Sequence, residues 1–216
     1  MSPRQAVALR GRVEGESLRD HLIATAALMI EEHGTANLTV REIAHQAHVA
    51  DGVLYNHFAD KEDLVVNALQ VYVERVIATA DPLPEPGTGT VAHNLTIHIS
   101  RGLAILMRII PVFASLLSEP NVVARFHERV GIGAGERALP AVLATYLRAE
   151  QHLGRIDSDA NVAAATSMLI GACHGVVLPR MLFGIPGAPL DVPESFVEGL
   201  VVTVLRGIEP CRSDGG

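Results

Sequence analysis

Residues 39–64 read TVREIAHQAHVADGVLYNHFADKEDL, and the spacing of apolar and capping residues in this stretch decides the fold. Thr39 precedes Glu42 by three residues, the interval at which each side chain accepts from a backbone N–H left free at a helix start. Val40, Ile43, Ala44 and Ala47 then recur at helical spacing. They give one apolar face over barely two turns, too short a helix to persist without neighbours. The turn falls at His48-Val49-Ala50, and a second helix is expected from Ala50 or Asp51 to His57. It carries Val53, Leu54 and Phe58 inward and leaves Asp51, Gly52 and Asn56 outside. Asp60, with Asp63 at the third position, then caps a longer helix whose Leu64, Val65, Ala68, Leu69, Tyr72 and Val76 share a core face.

Upstream, residues 17–33 form a further helix that ends at Gly34. The whole resembles the DNA-binding module of the TetR family of bacterial transcription regulators. The resemblance rests on Thr39-x-x-Glu42-Ile43-Ala44, Val49, Gly52-Val53-Leu54-Tyr55-x-His57-Phe58 and Lys61-x-x-Leu64, and covers roughly the first third of the chain. A match of this length with its spacing intact is far more specific than a short glycine motif. Two positions in the turn depart from the family pattern: His48 stands where glycine is usual, and Ala50 where serine is usual. The first position needs a positive φ, which histidine tolerates better than most side chains. The second usually caps the recognition helix, which alanine cannot do, so Asp51 is expected to shift the cap by one residue.

The resemblance implies an all-α protein with an N-terminal three-helix helix-turn-helix domain followed by a C-terminal helical ligand-binding and dimerisation domain. It implies a homodimeric repressor that leaves a palindromic operator when a small, largely apolar effector binds, with double-stranded operator DNA as partner and no cofactor. In the family, positions matching Tyr55, His57 and Lys61 touch the DNA backbone, and phenol, imidazole and ammonium can all donate to phosphate oxygens. Thr39, Arg41, Asp51, Gly52, Val53 and Asn56 complete the implied DNA-facing set. Arginine can pair with guanine, asparagine with adenine, aspartate with cytosine, and valine can touch a thymine methyl. Val53 has core packing as its competing reading, and Asp51 and Asn56 have plain solvent exposure or capping.

The charge balance sets a boundary on this reading. The 216 residues carry a formal net charge of −7, and residues 1–62 hold six basic side chains against nine acidic ones. This is no polycation that coats nucleic acid without discrimination. Arg4, Arg10 and Arg12 make residues 1–12 a basic arm, so specificity is expected to rest on a few contacts. Cys173 and Cys211 are too few for a disulfide framework, and no basic-then-apolar leader precedes the first helix, which points to the cytoplasm. No phosphate loop, nucleotide-binding glycine pattern or nucleophile elbow occurs, and the histidines lack the carboxylate or thiolate partners that a metal needs. An enzyme is therefore not expected. A helical carrier or enzyme without an operator and a protein-interaction module are the rival classes.

Chain order suggests a helix-turn-helix domain at 13–62, a connecting helix at 63–80, a ligand-binding and dimerisation region at 81–210 and a tail at 211–216. Residues 81–89, DPLPEPGTG, are a loop. Helices are expected at 90–108, broken by Pro111, and at 138–152, 160–183 and 193–208, with another beginning after Pro120. Residues 162–178 are nearly long and apolar enough to span a membrane and contain Gly171-x-x-x-Gly175. No second span is read, because 97–117 contains Arg101 and Arg108, and no membrane role is expected. The last two long helices are instead read as a subunit interface, with Ala164, Gly171, Gly175, Phe196 and Leu200 at the contact. Met107, Phe113, Tyr146, Met168 and His174 are named for an effector pocket, with ordinary core packing as the alternative for each.

Overall fold

The computed structural model describes residues 17–35, 38–131, 138–183 and 192–207. All regular structure among them is helical: α1 (Leu18–His33), α2 (Val40–Gln46), a 3-10 helix (Asp51–Asn56), α3 (Lys61–Ala78), α4 (Val91–Ser115), a 3-10 turn (Leu116–Ser118), α5 (Pro120–Val130), α6 (Leu139–His152), α7 (Val162–Phe183) and α8 (Glu194–Arg206). The basic arm and the tail lie outside the described residues.

These residues form two compact units. One contains 17–79 and 108–131, the other 80–107 and the described residues beyond 138. The chain-order boundary at 81 is therefore corrected for residues 108–131, which pack with the N-terminal unit. The cause is visible in the contacts: α5 packs on α3, and the Tyr72 hydroxyl donates to the Arg108 carbonyl at 2.7 Å.

The first unit is built on α1 against α3, with α2 packed on α1 and on the 3-10 helix. Leu22, Ile30, Ile43, Leu64 and Leu69 are at most 1% exposed, as the helical spacing predicts. Ser17 and Asp20 make a capping box that starts α1, and Thr39 and Glu42 make another that starts α2. Asp60 accepts from the Asp63 N–H at 2.7 Å and starts α3.

The expected break at Pro111 does not occur, since α4 runs on to Ser115. Proline inside a helix removes one hydrogen bond and crowds the preceding turn, at a cost of about 3 kcal/mol. Burial of Val112 and Leu116 beyond it, and the Tyr72 bond to the Arg108 carbonyl before it, offset that cost.

In the second unit α7 packs on α6 and on α8. Leu95, Ile99 and Leu103 of α4, Leu143 and Leu147 of α6, and Leu169, Cys173 and Val177 of α7 are each at most 3% exposed. Two helical stretches are long and apolar enough to cross a membrane, Val91–Ser118 and Val162–Pro179, which corrects the expectation of only one. The first also buries the polar Asn94 and His98 inside the second unit, as a core helix of a bundle does.

Candidate functional site

The turn at His48-Val49-Ala50 sets the reading head. His48 has φ 57°, the one positive φ outside glycine among the described residues, as its place in the turn requires. The Ala47 N–H donates to the Ile43 carbonyl at 2.8 Å and the Val49 N–H to the Ala44 carbonyl at 2.9 Å, closing α2 before the chain reverses. The next helix begins at Asp51 with Ala50 as its cap and no side-chain hydrogen bond there, so Asp51 does not take over the capping role. It is wound as a 3-10 helix through Asn56.

That short helix buries Val53 and Leu54 and exposes Asp51, Gly52, Tyr55 and Asn56. Val53, at 6% exposure, belongs to the core, where its apolar spacing put it, and the base-facing placement that the resemblance implied for it is corrected. Thr39 and Arg41 of α2 are exposed, while His57 and Lys61 are half-buried. Tyr55 is 66% exposed and shares a narrow crevice with Lys61, lined also by Val40, Leu54, Phe58 and Leu64. Arg41 borders a cleft of about 450 Å³ with His33, Glu42 and His45.

The acidic residues of this unit are largely paired. Arg125 donates to both Asp60 carboxylate oxygens at 2.8 and 2.9 Å and approaches Glu62 at 3.5 Å. The bond from the Asp63 backbone N–H, with the Arg125 contacts, holds the Asp60 carboxyl below its usual range. Arg129 meets Asp63 at 3.2 Å, Arg108 and Arg75 meet Glu31 at 2.7 and 3.6 Å, and Lys61 meets Glu119 at 3.8 Å. The pairs made by Arg125, Arg129 and Lys61 tie the start of α3 to α5 and its cap. Arg75, Arg108, Arg125 and Arg129 come from later in the chain, but so do Asp63, Glu74, Glu119 and Glu128, so the acidic excess of three counted in residues 1–62 is redistributed by pairing and not removed.

In the second unit the five residues named for a pocket are dispersed. Tyr146 is buried, Met107 is half-buried, and His174 is half-buried with Nδ1 2.9 Å from the Ile170 carbonyl. Two are corrected. Phe113 packs in the first unit against Phe126 at 5.1 Å between ring centroids, and Met168 is 58% exposed on the outside of α7. A small space of about 20 Å³ does exist, walled by residues such as Ile99, Leu143, Ile170 and Cys173, with His98 among them. None of the five named residues lines it. Burial pushes the Cys173 thiol up to about 11, so it behaves as a small apolar side chain.

Beside that cavity lies a polar cluster that sequence reading missed. The His98 ring lies 4.3 Å from that of Tyr146, and Glu150, one helical turn further along α6, is 0% exposed. Glu150 accepts from the Gly87 N–H at 3.3 Å and meets Arg155 at 3.3 Å, while Arg155 donates to the Gly89 carbonyl at 2.7 Å. The signal was a carboxylate in phase with Leu143 and Leu147, a position a solvated glutamate would not take.

The small residues named for a subunit contact face outward. Ala164, Met168, Gly171, Gly175 and Leu178 are all exposed, at alternating intervals of four and three, and a Cβ added at either glycine would meet nothing within 4 Å. Phe196 and Leu200 on α8 are half-buried, and Val202 and Leu205 beside them are exposed.

Residues 22–68 match the sequence profile described as bacterial regulatory proteins, tetR family. The HTH-type transcriptional repressor KstR2 of Mycobacterium tuberculosis H37Rv is 39% identical over 33% of this chain and 41% of its own. The chain thus spans about two fifths of that relative's length. The HTH-type transcriptional regulator UidR of Escherichia coli K12 is 24% identical over 88% of this chain and 92% of its own. Among solved structures, the transcriptional regulator FadR from Bacillus subtilis, in complex with stearoyl-CoA, superposes with a TM-score of 0.53 at 20% identity, covering 88% of this chain and 98% of that one. Capped α2, the positive-φ turn, the exposed face of the 3-10 helix and the profile over residues 22–68 agree, and residues 22–68 make a DNA-binding module of the tetR family of bacterial regulatory proteins.

Proposed function

We propose that this chain is a cytoplasmic, homodimeric transcription repressor that holds a near-palindromic operator and leaves it when a small molecule binds the second unit. The observation that carries the reading is the division within residues 51–58: Val53, Leu54 and Phe58 are buried, while Asp51, Gly52, Tyr55 and Asn56 stand in solvent. A core face that fixes the helix and an open face that reads DNA are what a recognition helix needs. Thr39, Tyr55, His57 and Lys61 hold the phosphate backbone, while Arg41 and Asn56, with Asp51 and Gly52, face base edges.

The exposed 4-3-4-3 row on α7, with Val202 and Leu205 of α8, is the dimer contact, since glycine and alanine let helices approach closely. Dimerisation sets the two recognition helices roughly 34–36 Å apart, or a multiple, to meet successive major grooves. An effector that prefers a dimer with another spacing weakens operator binding by that difference in affinity. The stearoyl-CoA bound by the Bacillus subtilis regulator supports a ligand-receiving helical region in this fold.

Selection of bound sequences from random duplex DNA by the purified full chain, at an ionic strength near 0.15 M where nonspecific attraction is screened, tests the reading. An enriched inverted repeat is expected. A folded dimer that enriches none would overturn it in favour of a carrier or enzyme.

A further inference from the structure

Two buried side-chain atoms in the second unit have no hydrogen-bond partner, His98 Nε2 and Tyr146 Oη, and beside them Glu150 Oε2 has only its ion pair with Arg155 at 3.3 Å. They belong to one cluster, joined by the 4.3 Å ring contact and by the single helical turn between Tyr146 and Glu150. Buried polar groups are nearly always satisfied, and each one left open costs about 1–3 kcal/mol. The two open atoms together mark a site kept ready for a polar atom from outside the chain.

His98 joins the cluster to the cavity, since it packs on Tyr146 and also lines the space walled by Leu83, Ile99, Leu143 and Ile170. The space of about 20 Å³ is the size of one water, so anything larger enters by displacing side chains. Leu83, Leu139, Val142 and Ile170 are only half-buried in its wall.

The charges around the cluster select what it takes. Arg101 donates to the Asp81 carbonyl at 2.7 Å, and Arg155 is committed to Glu150 and the Gly89 carbonyl. Burial, with Arg101 adding to it, lowers the His98 imidazole to about 4, so the ring is neutral at ordinary pH. Burial, with the Glu150 carboxylate adding to it, pushes the Tyr146 phenol up to about 12, so it too is neutral. An anion brought here would lose its hydration without gaining an uncommitted cation, and it would meet the Glu150 carboxylate. A neutral oxygen suits the groups present: a hydroxyl donates to a carboxylate or an imidazole nitrogen, and a hydroxyl or carbonyl accepts from a phenol or an imidazole N–H.

We propose that the second unit binds a neutral, mainly aliphatic molecule through one hydroxyl or carbonyl oxygen, held by His98 with Tyr146 and Glu150, and that it discriminates against the matching carboxylate. The inference rests on the reading of this unit as effector-receiving and names the chemistry of the effector.

Octanol, octanone and octanoate share a chain and differ in the head group. Their binding to the full chain is measured by calorimetry at neutral pH, with the His98 ring nitrogens followed by NMR. Octanol or octanone is expected to bind at least tenfold more tightly than octanoate and to shift the Nε2 resonance. His98→Leu is expected to lose about tenfold in octanol affinity, the worth of one hydrogen bond. Tyr146→Phe serves as a second variant if His98→Leu does not fold. Octanoate binding as tightly as octanol, no binding by any of the three, or an unchanged octanol affinity in the variants would overturn the proposal. Operator selection is run in parallel: an inverted repeat with no neutral ligand bound defeats this inference alone, whereas octanol binding with no operator enriched defeats the repressor reading alone.

Discussion

His48 holds the left-handed conformation, φ 57°, at the point where the chain turns from α2 into the recognition helix. For an L side chain that conformation costs about 1–2 kcal/mol, toward the lower end for histidine, and glycine escapes the cost. Glycine also gives the unfolded chain more freedom, which takes back about 0.4–1 kcal/mol. Because the His48 side chain is exposed, little packing is at stake. His48→Gly is therefore expected to leave the protein unchanged or to stabilise it by up to about 1 kcal/mol. A β-branched residue fits this conformation worst, so His48→Val should destabilise by about 1–2 kcal/mol. Urea unfolding of the full chain gives the order Gly, His, Val in midpoint, with the slope unchanged. Operator affinity of His48→Gly should stay near that of the parent, since Val49 and Ala44 still close the turn at 2.9 Å. A glycine variant less stable than the parent, or a valine variant equal to it, would refute the argument.

Other substitutions follow from burial and hydrogen bonding. Leu69→Ala, at a position with 0% exposure in α3, should cost about 2–5 kcal/mol in urea unfolding. A cost under 1 kcal/mol would mean that the α1–α3 core relaxes around the gap. Tyr72→Phe removes the 2.7 Å bond to the Arg108 carbonyl and should cost about 1 kcal/mol. A neutral result would show that the carbonyl finds another donor. The His98 imidazole, held near 4 against 6.5 in the unfolded chain, gives stability fully present above pH 6.5 and lost as pH falls through 4, because the unfolded chain binds the extra proton in that window. Stability measured from pH 7 to 4 should fall less steeply in His98→Phe, and equal slopes would contradict the burial of a neutral ring.

The two regions differ in how much the sequence disclosed. Residues 39–64 are local: the Thr39–Glu42 box, the turn at His48 and the buried face of α3 each follow from residues within four positions of one another. The same is true of the outward row on α7, where small residues repeat along one helix. What was not legible depends on residues far apart in the chain. The continuation of α4 through Pro111 needs Tyr72 from α3, and the membership of residues 108–131 in the first unit needs α5 against α3. The 3-10 winding of 51–56 was not legible because its apolar spacing fits an α-helix as well, and the base-facing reading of Val53 came from the resemblance and not from that spacing. The polar cluster brings together His98 of α4, Tyr146 and Glu150 of α6 and Gly87 of the proline-rich loop, and no spacing rule within one helix joins them.

The pairing of Lys61 with Glu119 gives a last consequence for DNA binding. Lys61 stands at the start of α3 beside Tyr55, where the proposed phosphate contact lies, yet its ammonium meets the Glu119 carboxylate at 3.8 Å. An ion pair between two partly exposed groups contributes about 0–1 kcal/mol, so a phosphate can compete for the ammonium. The carboxylate nevertheless acts against DNA twice, by occupying Lys61 and by repelling the backbone it would reach. Glu119→Gln removes both effects while keeping the size of the side chain, and Glu119 makes no side-chain cap for α5 that the change would disturb. Nonspecific DNA affinity should rise in Glu119→Gln at low salt. Lys61→Ala should lower it and reduce the salt slope by about one, the signature of one lost phosphate contact. In the double variant the glutamine should give back only the repulsion, so its gain should be smaller than in the parent background. If Glu119→Gln gains as much with alanine at position 61 as with lysine, the pair does not restrain Lys61, and the phosphate contact must be sought at Thr39, Tyr55 and His57.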